Sequence, residues 1–217
     1  MEREIIFKEI ILSDNPTIID VGSYDGNSSC DLLKIFPNAS IYAFEIDERS
    51  IELFKKNPKT KDIVLTTAAV SNVDGEIKFY RSDSETRRHN DNEDSWSASS
   101  STVKPKEHLS LFKDITFYES VTVPSIKLDT WVKDTPLDII DLAWVDVNGA
   151  EKNFIEGAVN TLNNKVKYLH IEFSEIELYE GSLTLKNILK ELPLFEEIAI
   201  FDFFGNFGNV LLKNTKL

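Results

Sequence analysis

The sequence of 217 residues predicts an α/β domain built on a doubly wound, mostly parallel sheet. Strand and helix signals alternate along almost the whole chain, as they do where helices cover both faces of a parallel sheet. The chain closes with two apolar runs joined by Gly205-Asn206-Phe207-Gly208, a connection typical of a hairpin. We therefore expect one domain, residues 1–217, whose parallel sheet gains one antiparallel strand from a C-terminal hairpin.

The first half of the chain is predicted to form an N-terminal helix followed by a βαβ unit. Isoleucines at helical spacing mark the first helix, and Asn15-Pro16 ends it. A glycine turn follows the first strand, Pro37 ends the next helix, and Asp74-Gly75 is a turn signal. In order, we predict helix 2–12, strand 17–21, helix 28–36, strand 40–45, helix 49–56, strand 62–70 and strand 76–80.

The second half repeats the alternation after a polar run. The nearly continuous apolar stretch 138–147 indicates a strand buried on both faces. Before it, residues 82–106 are rich in Ser, Asp, Asn and Glu, which favours either a lid over a bound molecule or a solvated loop. In order, we predict an extended segment 120–128, strand 138–147, helix 151–162, strand 166–173, helix 182–192 and strands 197–203 and 209–213.

Charge and composition exclude several classes of protein. With 24 Lys and Arg against 37 Asp and Glu, the net charge of −13 disfavours a nucleic-acid partner. No apolar stretch approaches the roughly 18 residues that span a bilayer, and the start, Met1-Glu2-Arg3-Glu4, lacks signal-peptide features. The single cysteine, Cys30, cannot form an intrachain disulfide and is expected to be a buried helix residue. A cytoplasmic protein in a reducing compartment is expected.

Two acidic strand ends flank one glycine turn and predict a nucleotide-type ligand. Asp20 and Gly22 end the first strand, Gly26 precedes the next helix, and Glu45 ends the second strand. A carboxylate at about this spacing accepts hydrogen bonds from an adenosine ribose. The alternative is a turn without ligand in which Asp20 caps the helix.

The charges near this turn favour S-adenosylmethionine over a dinucleotide. Residues 22–30 contain no Lys or Arg, and Asp25 stands where a diphosphate would meet the helix N-terminus. S-adenosylmethionine lacks phosphate, and its sulfonium and ammonium suit a pocket with Asp20, Asp25 and Asp146. An NAD-dependent oxidoreductase is the competing interpretation of the turn.

Six segments, in order, resemble the FkbM-type methyltransferases, a class I S-adenosylmethionine-dependent family that mostly methylates hydroxyl oxygens. The most specific is Trp144-Val-Asp-Val-Asn-Gly-Ala-Glu151 with Ile155-Glu-Gly-Ala158. The others are Asp20-Val-Gly-Ser-Tyr-Asp-Gly26, Tyr42-Ala-Phe-Glu-Ile-Asp47, Ala69 to Glu76, Val123 to Trp131 and Ile171-Glu-Phe173. The resemblance covers most of the chain and implies a Rossmann-like class I methyltransferase fold.

The resemblance also implies the cofactor site. Two positions depart from the family pattern: Tyr24 stands where the family often has Asn, and Asn148 where it usually has Glu. The second change removes a carboxylate that could bind the cofactor or take part in catalysis. The residues expected to bind S-adenosylmethionine are Asp20, Gly22, Ser23, Tyr24, Gly26, Glu45, Ile46, Ser71, Asp146 and Asn148.

Three side chains near strand ends are candidates for the base that deprotonates an acceptor hydroxyl. Asp146 comes first and could instead cap the following helix, and Glu172 could instead pair with a Lys. His170, which should share a strand face with Glu172, could instead be a buried core histidine. Residues expected to contact the acceptor are Arg87, Trp96 and Trp144. No metal requirement is expected.

The favoured function is O-methylation of a sugar hydroxyl in a glycan or glycosylated metabolite, a substrate class that comes from the resemblance. Methylation of a lipid, a polyketide or another small molecule is the first alternative. A cofactor-binding module without catalysis is the second, because of Asn148. The chain could also be one domain of a larger glycan-modifying protein.

Overall fold

The computed structural model describes residues 2–86, 96–118, 120–135 and 137–217. The strands are β1 (Thr17–Val21), β2 (Ser40–Phe44), β3 (Val64–Thr66), β4 (Ala69–Val70), β5 (Gly75–Phe79), β6 (Ser82–Asp83), β7 (Thr116–Phe117), β8 (Val121–Ile126), β9 (Ile140–Val145), β10 (Val166–Ser174), β11 (Phe195–Phe204) and β12 (Phe207–Asn214). The helices are α1 (Glu2–Ile10), α2 (Asn27–Ile35), α3 (Glu48–Lys56), α4 (His108–Leu111), α5 (Leu128–Asp134), α6 (Glu151–Gly157), α7 (Val159–Lys165) and α8 (Leu185–Glu191), and a 3-10 turn spans Pro58–Thr60.

The central sheet has seven strands in the order β11-β12-β10-β9-β1-β2-β3. Every pair from β10 to β3 is parallel, and β12 runs antiparallel to both β10 and β11. The predicted doubly wound, mostly parallel sheet with a C-terminal hairpin is therefore confirmed. The strand order reverses direction beside β1, which is where ligands bind in open sheets of this kind.

Helices cover both faces of this sheet because consecutive strand residues point to opposite sides. Ile18 packs in one core with α1, α2 and α3, and its neighbour Ile19 packs in the other core with α5 to α8. Cys30 lies buried in α2, as expected. Within the described residues, no helix is both long enough and apolar enough to cross a membrane.

The strand predicted at 62–70 is wrong as a single element. Val64–Thr66 is the edge strand β3 of the main sheet, whereas Ala69–Val70 is β4 of a separate small sheet with the order β4-β8-β5. Where the two pieces meet stand Thr66 and Thr67, and because threonine is common within strands they give no sign that the chain changes sheets there.

The helix predicted at 151–162 is two helices, α6 and α7, that meet at Gly157 and Ala158. A Cβ on Gly157 would lie 1.8 Å from the carbonyl oxygen of Ser71, so close packing against that loop requires glycine here. The extended segment predicted at 120–128 ends at Ile126, and Leu128 begins α5, a seven-residue helix too short for its periodicity to be visible.

Candidate active site

Three strand ends are tied together by backbone hydrogen bonds at the turn after β1. The N–H groups of Gly22 and Ser23 both donate to the Phe44 carbonyl at 3.0 Å, and the Asp146 N–H donates to the Val21 carbonyl at 2.9 Å. Gly22 has φ +83°, and a Cβ there would lie 1.8 Å from the carbonyl oxygen of Asp146. Only glycine can hold this junction, as the sequence predicted from the turn.

Glu45 follows β2, and its carboxylate is held by three backbone amides. The N–H of Tyr24 donates to Oε2 at 2.8 Å, and those of Ile46 and Asp47 donate to Oε1 at 2.7 and 2.8 Å. Burial raises the pKa of Glu45 to about 7, against the opposing effect of these hydrogen bonds. The carboxylate is therefore fixed in place at the turn that the sequence indicated.

Tyr24 occupies the middle of the glycine turn with φ +51°. This left-handed conformation is the one that Gly and Asn adopt most readily, which accounts for the residues typical of this position in the family pattern. For Tyr24 this conformation is less favourable than for Gly or Asn. It lets the backbone N–H of Tyr24 donate to Glu45, and the residue lines the cavity beside that carboxylate.

A cavity of about 200 Å³ opens beside these strand ends. Of the ten residues expected to bind the cofactor, the cavity is lined by Gly22, Tyr24, Glu45, Ile46, Asp146 and Asn148. The other four are not among its lining residues: Asp20, Ser23, Gly26 and Ser71. Asp20 is fully buried and accepts hydrogen bonds from Ser28 Oγ at 3.0 Å and Ser29 Oγ at 2.5 Å, so its contacts in this structure are with α2.

Residues 97–102, from the polar run, form part of the cavity wall. Ser97 Oγ lies 2.9 Å from Ser50 Oγ, and Ser100 Oγ donates to Asp47 Oδ2 at 3.3 Å. Arg49 pairs with Asp47 at 2.5 Å and donates to the Ser82 carbonyl at 2.9 Å, which joins α3 to the wall. The solvated-loop interpretation is wrong for this part of the run, because its serines are buried. Neither this wall nor Asp47 was predicted from the sequence as part of the cavity.

Asn148 clamps this wall to the turn after β9. Its Nδ2 donates to the carbonyls of Ala98 at 3.1 Å and Ser100 at 3.2 Å, and its own carbonyl accepts from Ser101 Oγ at 2.7 Å. The residue has φ +49°, which Asn tolerates. A carboxylate cannot donate these two hydrogen bonds, so the departure from Glu is matched by the wall that this chain carries.

An acidic cluster lies at the ends of β9 and β10, beside the cavity. Asp146 lines the cavity and keeps an exposed surface there, and partial removal from water raises its pKa against the opposing effect of the hydrogen bond from the Asn148 N–H. Burial, followed by the charges of Asp146 and Glu151, raises the pKa of Glu172 well above its ordinary value. Burial also raises the pKa of Glu151 to about 7, while its Oε1 accepts from the Gly149 N–H at 2.9 Å.

Tyr179 joins this cluster to the wall and is a residue that the sequence analysis missed. Its hydroxyl donates to the Ser99 carbonyl at 2.8 Å, and its ring occupies the space where a Cβ on Gly149 would lie. Burial and then the charges of Glu172 and Asp146 raise the pKa of Tyr179 well above 10, so it remains a neutral donor. Gly149, within the most specific motif, is the feature of the sequence that indicates a side chain packed closely against this turn.

A family model described as the methyltransferase FkbM domain matches residues 20–206. This chain belongs to the FkbM methyltransferase family. A curated relative, the 2-O-methyltransferase NoeI of Sinorhizobium fredii, is 36% identical over 218 aligned residues, with 100% of this chain and 86% of the relative covered.

Solved structures share the fold of this FkbM-family chain. Methyltransferase FkbM from Methylobacillus flagellatus matches with a TM-score of 0.54 and 14% identity, over 93% of this chain and 44% of that one. The present chain thus spans less than half the length of that protein. A SAM-dependent methyltransferase from Aquifex aeolicus matches with a TM-score of 0.50 and 12% identity, over 97% of this chain and 88% of the other. The class I methyltransferase fold is confirmed.

As an FkbM-family methyltransferase, the protein uses S-adenosylmethionine as its methyl donor, which decides against the oxidoreductase alternative. The cavity fits this cofactor. Its lining includes the carboxylates of Glu45, Asp47 and Asp146, and among the described residues no Lys or Arg lines it. Carboxylates without a phosphate-binding cation suit a ligand that carries ribose hydroxyls and positive charge.

Two expected acceptor-side residues of this FkbM-family chain lie elsewhere. His170 is 1% exposed, and its ring stacks on that of Trp144 with centroids 3.8 Å apart, under α1. Neither residue lines the cofactor cavity, and burial lowers the pKa of His170 well below 6.5. The lone strand histidine is thus a core residue, and the geometry no longer supports it as the base.

The remaining expectations for the acceptor side have mixed outcomes. Trp96 lies directly before the wall. Its backbone N–H donates to Asp83 Oδ1 at 2.7 Å, and its indole Nε1 donates to Ser99 Oγ at 3.3 Å. Arg87 lies outside the described residues. In the part of the chain that the structure describes, no three His, Cys, Asp or Glu side chains are grouped to hold a metal ion, and the absence of a metal requirement stays a prediction.

Proposed function

We propose that this methyltransferase transfers the methyl group of S-adenosylmethionine to a hydroxyl oxygen of a sugar. The observation that carries the proposal is the pair of carboxylates on neighbouring strands: Asp146 lines the cofactor cavity, and Glu172, which does not line it, is close enough to feel the charge of Asp146. The similarity to a 2-O-methyltransferase supports oxygen as the atom methylated. The acidic surface of the chain, with a net charge of −13, favours an uncharged glycan or small-molecule acceptor over nucleic acid.

Cofactor binding is proposed to rest on the six lining residues. Glu45 would accept a ribose hydroxyl through Oε2, because its three amide bonds use both lone pairs of Oε1 and only one of Oε2. Tyr24 and Ile46 pack beside it. Asp146 attracts the positively charged end, and Asn148 keeps the wall closed over that end through Ala98 and Ser100. Gly22 allows the close approach of the backbone.

Methyl transfer is an in-line displacement, so the protein has to align the acceptor oxygen and remove its proton. The bound cofactor supplies an electrophilic methyl group. Asp146 would accept the proton of the acceptor hydroxyl, and the methyl group that this oxygen receives would leave its bonding electrons with the donor. Glu172 is the second candidate base. Among the described residues, no Lys or Arg pairs with Glu172, and no side chain caps α6, although Asp146 accepts a hydrogen bond from the Asn148 N–H within the turn.

Titration with S-adenosylhomocysteine, with NAD as the control ligand, tests the cofactor part of the proposal. We expect binding that weakens at least tenfold in Glu45→Ala and no binding of NAD. A transfer assay with radiolabelled methyl donor then compares sugars with phenols and hydroxylated fatty acids, which represent the alternative acceptors. A module without catalysis would bind the cofactor product and methylate none of these acceptors, and transfer only to phenols or lipids would contradict the sugar assignment.

Asp146→Asn and Glu172→Gln separate the two candidate bases. The base variant should lose at least a hundredfold in kcat while retaining affinity for S-adenosylhomocysteine within severalfold. A cofactor-binding module without catalysis is considered because Asn148 replaces a carboxylate. The two hydrogen bonds that Asn148 donates to the wall explain this replacement without a loss of catalysis.

A further inference from the structure

A second, larger cavity lies on the sheet face covered by α1 and α2. Its volume is about 550 Å³, and it lies between α1, α2 and the end of β11. It shares no lining residue with the cofactor cavity within the described chain. The residues that characterise it are Arg3, Phe7, Ser28, Asp31, Trp144 and Phe201. We call this cavity the α1 groove.

The α1 groove lies one short step along the strands from the acidic cluster. Trp144 and His170 are paired neighbours on β9 and β10. Asp146 follows Trp144 by two residues, and Glu172 follows His170 by two. Two residues of strand span about 7 Å and return to the same face of the sheet. A molecule in the groove is therefore within reach of the carboxylates at the strand ends.

The groove combines aromatic walls with polar groups of both hydrogen-bonding types. The Arg3 guanidinium carbon lies 5.1 Å from the ring centroids of both Trp144 and Phe201, and Arg3 forms an ion pair with Asp202. Ser28 and Asp31 line the α2 side. With Arg3 lying over both rings, the groove offers the guanidinium, the carboxylates of Asp31 and Asp202 and the Ser28 hydroxyl, a set that matches a ligand rich in hydroxyl groups.

Buried polar atoms around Trp144 lack partners. Within the described part of the chain, Arg3 Nε and both ring nitrogens of His170 are buried without a hydrogen bond. His170 is 1% exposed and stacks directly behind Trp144. Buried polar groups in folded proteins are almost always satisfied, and of these atoms only Arg3 Nε belongs to a residue that lines the groove, so Arg3 is the group that a ligand or a water ordered by the ligand would complete.

We propose that the α1 groove binds a neutral sugar unit of the acceptor, adjacent to the unit that is methylated. The inference rests on the proposed sugar acceptor and names the site that would hold it. A phosphate or other anion is disfavoured by Asp31 and Asp202, and Arg3 already occupies the aromatic faces that would attract an organic cation. An acyl chain would leave the charged lining unsolvated.

Filling the groove tests the proposal. Ile200 lines it and is 42% exposed, whereas Ile198, two residues earlier on β11 and 39% exposed, does not line it. Ile200→Trp should raise the KM for the sugar acceptor at least tenfold, with S-adenosylhomocysteine affinity unchanged within twofold. Ile198→Trp, the matched control, should leave both values within twofold of the wild type. Equal acceptor KM values in the two variants would overturn the proposal.

Direct binding gives a second measurement that does not depend on turnover. Trisaccharides of glucose, galactose, mannose and N-acetylglucosamine are titrated while the Trp144 indole resonance, assigned with Trp144→Phe, is followed by NMR. At least one should shift this resonance in the wild type and not in Ile200→Trp. No shift with any of them overturns the groove assignment. Wild-type protein that binds S-adenosylhomocysteine yet methylates no sugar contradicts the proposed function instead.

Discussion

The cofactor cavity and the α1 groove open near the same strand ends but differ in how their polar groups are treated. Around the cavity, Glu45 is held by three amides and Asn148 by three hydrogen bonds. Around the groove, Arg3 Nε and His170 have no hydrogen-bond partner within the described chain. Buried atoms without a hydrogen bond occur in both regions, since Asp20 Oδ1 and Ser23 Oγ at the glycine turn also have none within the described chain. The difference is that the cavity also presents Glu45 and Asn148 in fixed orientations, as a site for a constant cofactor can.

The largest effect on the cofactor cavity is expected from Gly22→Ala. A Cβ at this position would lie 1.8 Å from the Asp146 carbonyl oxygen, so the junction of β1 and β9 would have to shift. We expect at least a hundredfold loss of S-adenosylhomocysteine affinity and a lower melting temperature. Gly181→Ala is the matched control, since Gly181 has φ +80° and nothing within 4 Å of the added Cβ. If calorimetry shows equal losses for both variants, backbone strain rather than the tied strand ends accounts for the effect.

Asn148→Asp tests the clamp between the wall and the turn. The change removes two donors and places a carboxylate against the carbonyls of Ala98 and Ser100. The free energy of unfolding should fall by about 2 to 3 kcal/mol, the cost of leaving buried groups unpaired. Asn153→Asp in α6, where no described residue bonds the side chain, should change it by less than about 0.5 kcal/mol in a urea titration. Equal stability of the two variants would show that the wall holds without Asn148.

Cofactor affinity should depend on pH through Glu45. The pKa of Glu45 is raised to about 7, and the ionised form offers the ligand more acceptor sites than the protonated form. Affinity for S-adenosylhomocysteine should therefore fall about tenfold from pH 8 to pH 6. In Glu45→Gln the overall affinity is lower and this part of the pH dependence disappears. Parallel pH profiles for the two proteins would assign the titration to another group.

The smallest expected effect is on the groove side, in His170→Phe. Burial keeps the pKa of His170 well below 6.5, so the unfolded chain binds a proton that the folded chain does not. The contribution of the neutral His170 to the free energy of unfolding of the wild type is complete above pH 6.5. It is lost as the pH falls below that value. The free energy of unfolding of the variant, relative to that of the wild type, should therefore rise by about 1 kcal/mol from pH 7 to pH 5.5. A constant difference in thermal unfolding across that range would show that His170 becomes charged in the folded protein.

The sequence predicted what rests on local signals, namely the alternating elements, the glycine turn, Glu45 and the acidic strand ends. It missed what depends on long-range packing. Nothing near Asn148 in the sequence shows that its amide meets Ala98 and Ser100, some fifty positions away. His170 shares a strand with Glu172, and only the position of α1 shows that the ring is covered. Tyr179 joins the site through a loop without periodicity.

The way in which Glu45 is held affects how the sequences of this family can diverge. All three donors are main-chain amides, from Tyr24, Ile46 and Asp47, so the carboxylate is aimed by the course of the backbone and by no particular neighbour. Mutations that alter those side chains leave the donors in place wherever the backbone path is kept. The nucleoside recognition that we propose for Glu45 can thus be inherited unchanged while the surrounding side chains change.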